Sequence, residues 1–415
     1  MEKLMTTEKL KEIAATYGTP SFLFDEKALK MRLRAIKEIV GDKVSLCFSI
    51  KANPFLIPAM LDVTERLEVC SPGELDICKN LGVDPDRIVY SGVNKTEDNV
   101  RDAAEYGAGI YTAESLKHVL LLNDEGRRMG KALPVLLRLN GGSQFGMSRE
   151  DLFKVLEKRD GLDGIEIKGI HYFAGTQRKK LMQQQKELQM LKDLYDEIED
   201  TFGVRLEKLE YGPGLPVPYF DTEDFNDTLA PVKELSDALK ETATWCDLTV
   251  EMGRFFTSEC GYYLTKVMDI KSNEGTNYCV VDGGMNHLTY LGQIMGMKIP
   301  VIHKLEAENR EDIDVEINNT FGEAELCGNL EDGAADYALC GSLCTTADVI
   351  VRQIRLQDLK IGDILAFCNV GAYSVTEGIY LFLSRTMPRI LLAKEDGSIV
   401  VARDFTESSV LNYQR

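Results

Sequence analysis

A lysine, a pair of glycines, a carboxylate with an arginine three residues on, and one cysteine in a polar loop are the residues of this chain whose setting suggests chemistry. Lys51 closes a largely apolar run in C-F-S-I-K-A-N-P, Cys47 to Pro54, and the Ala-Asn-Pro behind it is hostile to a helix. Such a stretch reads as a buried strand that releases a lysine into a turn. A lysine just past a strand is most often a solvated cap. Desolvated at the mouth of a sheet, it would lose its proton more easily, and the free amine could form a Schiff base. Gly212 and Gly214, in E-Y-G-P-G-L-P, could let backbone N–H groups approach a phosphate, although Gly-Pro clusters are commonly plain turns. Glu251 and Arg254, in V-E-M-G-R, read in isolation as an exposed ion pair.

The elements that must position these residues repeat one theme from Ser45 to about Arg254: a short apolar run, a small or polar residue at its end, then a helical pattern. The runs S-L-C-F-S-I, L-E-V-C, I-V-Y-S, G-I-Y-T, V-L-L-R-L, I-K-G-I-H-Y-F, L-E-K-L-E-Y and L-T-V-E are eight, and eight strand–helix units predict a parallel (β/α)8 TIM barrel. In that fold chemistry sits past the C-terminal ends of the strands. The candidates are therefore Lys51, Ser71, Ser91, Arg138, Phe173 with Thr176, Gly212 with Gly214, and Glu251 with Arg254. Beside an activated lysine and a phosphate cradle, Glu251 acquires a specific job: it would keep a pyridine nitrogen protonated and the ring an electron sink.

After Gly261 the pattern becomes all-β. G-Y-Y-L-T-K-V-M-D-I-K-S and N-Y-C-V-V-D-G-G-M flank N-E-G-T as a hairpin, and later apolar runs continue the style. The expected organisation is a barrel over 26–257 and a β-rich domain built from 1–25 and 258–415, with the early strand T-P-S-F-L-F joining the second domain. The acidic stretch from Lys304 to Asp336 reads as an insertion or long loop with no assignable role.

Composition sets outer bounds. A chain of 415 residues with 44% hydrophobic content can bury two cores. The formal net charge of −19 disfavours nucleic acid and anionic membranes, and no run is long enough to span a bilayer. The N-terminus carries charges and no apolar signal region, so a cytoplasmic location is expected. Ten cysteines, none in a C-x-x-C pair, are expected to be reduced, mostly core residues, with no metal site.

Together Y-G-T-P-S-F-L-F-D, S-I-K-A-N-P, C-S-P-G-E-L, Q-F-G-M, G-I-H-Y-F-A-G-T-Q, Y-G-P-G-L-P, V-E-M-G-R-F, V-V-D-G-G-M-N-H, G-S-L-C-T-T-A-D and N-V-G-A-Y resemble, in order, the fold-type III pyridoxal 5′-phosphate decarboxylases, the family of diaminopimelate and ornithine decarboxylases. The resemblance implies an alanine racemase-like barrel with a C-terminal β domain. It implies Lys51 as the Schiff-base lysine, Gly212, Gly214 and Tyr373 at the phosphate, and Glu251 at the pyridine nitrogen. Arg138, Phe173 and Gly253 would complete the cofactor site, and Arg254 would serve phosphate or substrate carboxylate. Cys344 matches a cysteine that reaches the site from the partner of a homodimer and helps in protonation. Two departures stand out: Phe173 replaces the histidine that commonly stacks on the ring, and Pro213 removes one backbone donor from the phosphate turn.

For substrate, Thr345 stands where diaminopimelate enzymes carry a glutamate, and no arginine follows D-G-G-M-N-H, where Tyr290 falls instead. These variants more closely resemble the decarboxylase of butirosin biosynthesis, which acts on a glutamyl group carried by an acyl-carrier protein. Thr345, Tyr290 and Gly292 would suit a tethered substrate, Arg254 and Tyr373 would touch it, and Arg178, Lys179 and Lys180 would dock the carrier. Diaminopimelate decarboxylation remains the alternative. A racemase is disfavoured because C-T-T-A-D and E-M-G-R match decarboxylases, and a non-catalytic homologue because Lys51, Glu251, Tyr373 and Cys344 are all present.

Overall fold

In the computed structural model the described residues are 5–293, 296–306, 316–317, 319–320, 326–327 and 333–414. Most of the acidic segment from Lys304 to Asp336 therefore lies outside them. The chain divides into two compact units, one of residues 30–217 and 226–256, the other of 1–29, 218–225 and 257–415.

One strand, β1 (Ser21–Asp25), comes first in the chain and belongs to the second unit. The first unit is a closed, all-parallel barrel of β2 (Ser45–Ser49), β3 (Arg66–Val69), β4 (Ile88–Tyr90), β5 (Ile110–Ala113), β6 (Leu133–Leu139), β7 (Ile165–Phe173), β8 (Lys208–Gly212) and β9 (Asp247–Met252). Each expected strand is present. The ring closes where β9 pairs with β2, with Cys47 opposite Glu251. Cys47, Val89, Ile110 and Leu136 make one apolar cluster within it. Ser71, past β3, caps the helix Pro72–Asn80 by accepting from Glu74 N, and Ser91, past β4, bonds Thr112 Oγ1 at 3.0 Å. Both are thus structural at the mouth.

The second unit is a sheet unit. β10 (Gly261–Asn273) and β11 (Thr276–Val281) form the expected hairpin, turned by Glu274 and Gly275, both with positive φ. β12 (Ile302–Leu305), β13 (Ala334–Cys340), β14 (Val349–Gln357), β15 (Ile364–Cys368), β16 (Arg389–Ala393) and β17 (Ile399–Arg403) follow. The sheet runs β14-β13-β11-β10-β1-β16-β17, with β15 pairing both β10 and β12. β1 joins this sheet as expected, antiparallel to β10 and parallel to β16. The helix Thr7–Tyr17 covers it, placing Leu10, Ile13 and Ala14 against Leu23, Leu264 and Leu391.

The outer boundaries shift by a few residues, to 30 and 256, and one inner segment differs from the sequence expectation. Pro218–Phe225, expected in the barrel, groups with the sheet unit. Phe220 bridges to Pro300, Asp221 N donates to Ile299 O at 3.0 Å, and Tyr219 meets Tyr290 edge-on while Phe220 packs on it at a tilt. Apolar rings were better buried on the sheet than left in a long barrel loop. Among the described residues no helix is long and apolar enough to cross a membrane.

Candidate active site

Lys51 occupies a single 3-10 turn, Ile50–Ala52, at the C-terminal end of β2. Asn53 and Pro54 stop it there: the Asn53 side chain accepts from Phe55 N, and Pro54 begins a new turn. The Lys51 amine lies 2.5 Å from Glu68 Oε2 on β3, 3.3 Å from Cys70 Sγ and 3.9 Å from Glu251 Oε1 on β9. Its side chain is 39% exposed, whereas those of Glu68 and Glu251 are 3% and 7%. The amine therefore faces an opening with carboxylates beneath it.

Glu251 is the best supported of these acids. Ser49 Oγ donates to its Oε1 at 2.7 Å, and His171 Nε2 lies 2.9 Å from its Oε2. Burial by itself pushes this carboxyl up, but the Lys51 ammonium and the His171 hydrogen bond outweigh it and hold Glu251 well below the usual carboxylate range. The anion is thus kept where water cannot stabilise it. Glu210 on β8 shows the opposite: burial, then the charge of Glu251, pushes it well up. Burial likewise raises the Cys47 and Cys70 thiols. His171, two residues before Phe173 on β7, is 1% exposed and holds Glu251.

The glycines of the mouth are demanded by space. A Cβ on Gly212 would meet the Phe173 ring at 2.5 Å, so glycine lets that aromatic face stand at the strand end. Gly214 has φ +61°, and a Cβ there would lie 1.8 Å from Gly175 O. Gly253 brings the end of β9 against the Lys51 turn, since its Cβ would meet Ala52 Cβ at 2.9 Å. Arg254 follows it, buried. Arg138, on β6, donates to Glu114 Oε1 at 2.6 Å and lies over the Phe145 ring; its buried Nε has no hydrogen-bond partner among the described residues.

Four expected site residues belong to the sheet unit. Cys344 and Thr345 are exposed on the loop between β13 and β14, where Cys344 lines a cleft of about 570 Å³ with Lys271, Ser342 and Arg385. Asp348 fixes this loop, accepting from Met285 N and Leu343 N, each at 2.8 Å. Tyr373 is half-buried with φ +67°, and Asn369 in the same loop has φ +61°. A tyrosine in the left-handed region costs about 1–3 kcal/mol, the kind of strain that collects at functional sites. Tyr290 requires correction. It was expected to touch substrate, but it is 6% exposed, donates its hydroxyl to Cys368 O at 2.8 Å and packs on Tyr219 and Phe220. It is a core residue of the sheet unit. Arg178 also departs from expectation: Glu187 engages it through both terminal nitrogens, so it is no free docking cation.

Sequence reasoning passed over Ser49, Glu68, Cys70, Glu114, Glu210 and Lys95. Lys95 is 1% exposed, donates to Gly92 O and sits over the Tyr90 ring; burial lowers it to about 8. The available signal was charge within apolar strand-end runs, as in L-E-V-C and L-E-Y-G.

The model of the pyridoxal-binding domain of pyridoxal-dependent decarboxylases matches residues 26–258. The diaminopimelate decarboxylase of Aquifex aeolicus is 26% identical over 95% of this chain and 91% of its own length. The L-glutamyl-[BtrI acyl-carrier protein] decarboxylase of Niallia circulans is 25% identical over 93% and 91%. In fold, the chain resembles the crystal structure of the M. jannaschii diaminopimelate decarboxylase in complex with L-lysine, with a TM-score of 0.79 and 23% identity over 97% of this chain and 93% of that one.

Proposed function

The chain belongs to the pyridoxal-dependent decarboxylases, and we propose that Lys51, Glu251 and the glycines of the barrel mouth are the site at which it removes a carboxylate from an amino acid or a carrier-tethered aminoacyl group. One observation carries this: an amine at the mouth of the barrel stands 3.9 Å from a buried carboxylate that its charge and His171 hold anionic and that Ser49 hydrogen-bonds. Those parts fit pyridoxal 5′-phosphate. Lys51 would hold its aldehyde carbon, Gly212, Gly214 and Tyr373 its phosphate, and Phe173 the face of its ring, with Gly253, Arg138 and Arg254 completing the enclosure. When bound, the cofactor supplies an electron sink for the pair left behind as carbon dioxide departs.

The protein's own contribution is electrostatic and steric. Glu251 keeps a proton on the ring nitrogen, because a buried anion with fixed donors stabilises the protonated ring far more than water would. Glu68 accepts a hydrogen bond from the Lys51 amine and positions it at the end of β2. Cys344, on its exposed loop, delivers a proton to the substrate's α-carbon in the site of a second protomer. A homodimer is supported by the run Ile379, Leu381, Phe382 and Leu383, whose side chains stand about half exposed on the sheet unit.

The substrate proposed is a glutamyl group tethered to an acyl-carrier protein. Thr345 offers no charge to the distal amine of diaminopimelate, and two lost charge-assisted contacts, at about 1.5–3 kcal/mol each, remove useful discrimination. With Tyr290 in the core and Arg178 bound to Glu187, selection falls to Thr345, and carrier docking to the exposed Lys180. The purified protein should be yellow and bleach with borohydride. Carbon dioxide release should be strongest with glutamyl-carrier conjugates in a panel with diaminopimelate, ornithine, lysine, arginine and glutamate. Efficient turnover of diaminopimelate would assign the alternative.

A further inference from the structure

Glu210 and Glu251 lie on the neighbouring strands β8 and β9, and one ligand atom from each falls within 4.8 Å of the other and of one from His171. Both residues are buried. Two carboxylates this close, shut away from water, cannot both carry charge. The donors around them decide which keeps the proton. Glu251 has the Ser49 hydroxyl at 2.7 Å, His171 at 2.9 Å and the Lys51 ammonium at 3.9 Å. Glu210 has the Cys47 thiol, a weak donor, and its buried Oε1 has no hydrogen-bond partner among the described residues. Of the other charges that face it, Glu68 adds repulsion and Arg66 only partly offsets it.

We propose that Glu210 works as a neutral carboxylic acid, a positioning residue whose proton leaves Glu251 the single anion of the pair. This deepens the role given to Glu251 above, and its functional meaning rests on that reading. Burial and the charge of Glu251 act in the same direction on Glu210. With the charge confined to Glu251, the attraction offered to a protonated ring nitrogen is undivided. A second ionised carboxylate in the cluster would instead draw a proton to itself.

The test is infrared difference spectroscopy of the purified holoenzyme, labelled with ¹³C at the glutamate side-chain carboxyl, at neutral pH. An un-ionised carboxylic acid band should be present in the wild type and absent from Glu210→Gln. The cofactor absorbance maximum and its pH profile should shift in Glu251→Gln and stay in place in Glu210→Gln. A band that survives Glu210→Gln overturns the assignment, as does a wild type without one. Should Glu210→Gln fail to fold, Glu210→Asp decides in its place, because only glutamate carries the label: the labelled band should vanish, and its survival overturns the assignment. A colourless protein would count against the reading of the preceding subsection, while the band would still decide this one.

Discussion

In the barrel unit Lys51, Glu68, Ser49, His171 and Glu251 are joined by contacts of 2.5 to 3.9 Å inside one cylinder of strands. In the sheet unit Cys344 and Thr345 stand exposed on a loop, and Tyr373 is held on another in a left-handed conformation. The difference concerns where charge can be afforded. Strands that hydrogen-bond on both sides fix their side chains rigidly, so buried ions can be placed against one another and kept paired. Loops cannot do that, and they present polar groups to whatever meets them. The barrel thus holds a finished electrostatic arrangement, and the sheet unit holds groups that need a second surface to become part of a site.

The largest effects should come from breaking the barrel's arrangement. Lys51→Ala should lower turnover by at least about 10⁴-fold and abolish borohydride bleaching, with the melting temperature little changed. Normal activity in that variant would end the proposed role. Glu251→Gln should cost about 10²–10³-fold in kcat, since it removes an anion that acts on developing charge. Steady-state kinetics should show the loss in kcat rather than KM. A loss confined to KM would make Glu251 a binding residue only.

These same residues show what could be read from sequence and what could not. Lys51 was legible because a charge at the end of an apolar run, before Ala-Asn-Pro, has little reason to be there. The eight strands were legible because each buried run ends at a small or polar residue. Glu68 and Glu210 were not. In runs as short as L-E-V-C and L-E-Y-G, one polar residue between apolar ones does not say whether it faces the barrel interior or the helices. Closure of the ring, which sets Cys47 opposite Glu251, turns those residues inward together. Tyr290 failed for the converse reason: M-N-H-L-T-Y-L-G-Q reads as a polar loop, and only Tyr219 and Phe220, some seventy residues earlier, make it a core position.

Lys95 sharpens the comparison by measuring how dry the barrel unit is. Burial takes its ammonium from the ordinary 10.5 down to about 8. Between those values the unfolded chain binds more protons than the folded one, so stability from this group is lowest below about pH 8, rises through the window and is complete above pH 10.5. The rise corresponds to about 3 kcal/mol. The denaturant midpoint of the wild type, measured relative to Lys95→Met at each pH, should climb across that range. An identical slope in both would place Lys95 in contact with water.

The smallest expected effect tests the sheet unit, and it decides whether a loop cysteine does chemistry at all. Cys344→Ala should lower kcat by about 10- to 100-fold, the usual contribution of one positioned proton donor. An exposed thiol that merely decorated a loop would cost almost nothing when truncated, because exposure leaves no cavity and no unpaired donor behind. The loss alone does not say which protomer's site it serves. Mixing Lys51→Ala with Cys344→Ala protomers does. If Cys344 acts across a twofold dimer, each hybrid carries one site built from an intact lysine and an intact cysteine. Random exchange should then restore up to about a quarter of wild-type activity from two impaired parents. If Cys344 serves its own chain's lysine, every site in the hybrid lacks one of the pair, and activity stays at the level of the parents' average. Subunit exchange followed by a fluorescent label on one parent, with no recovery of carbon dioxide release, would remove the proposed sharing and leave the barrel to act alone.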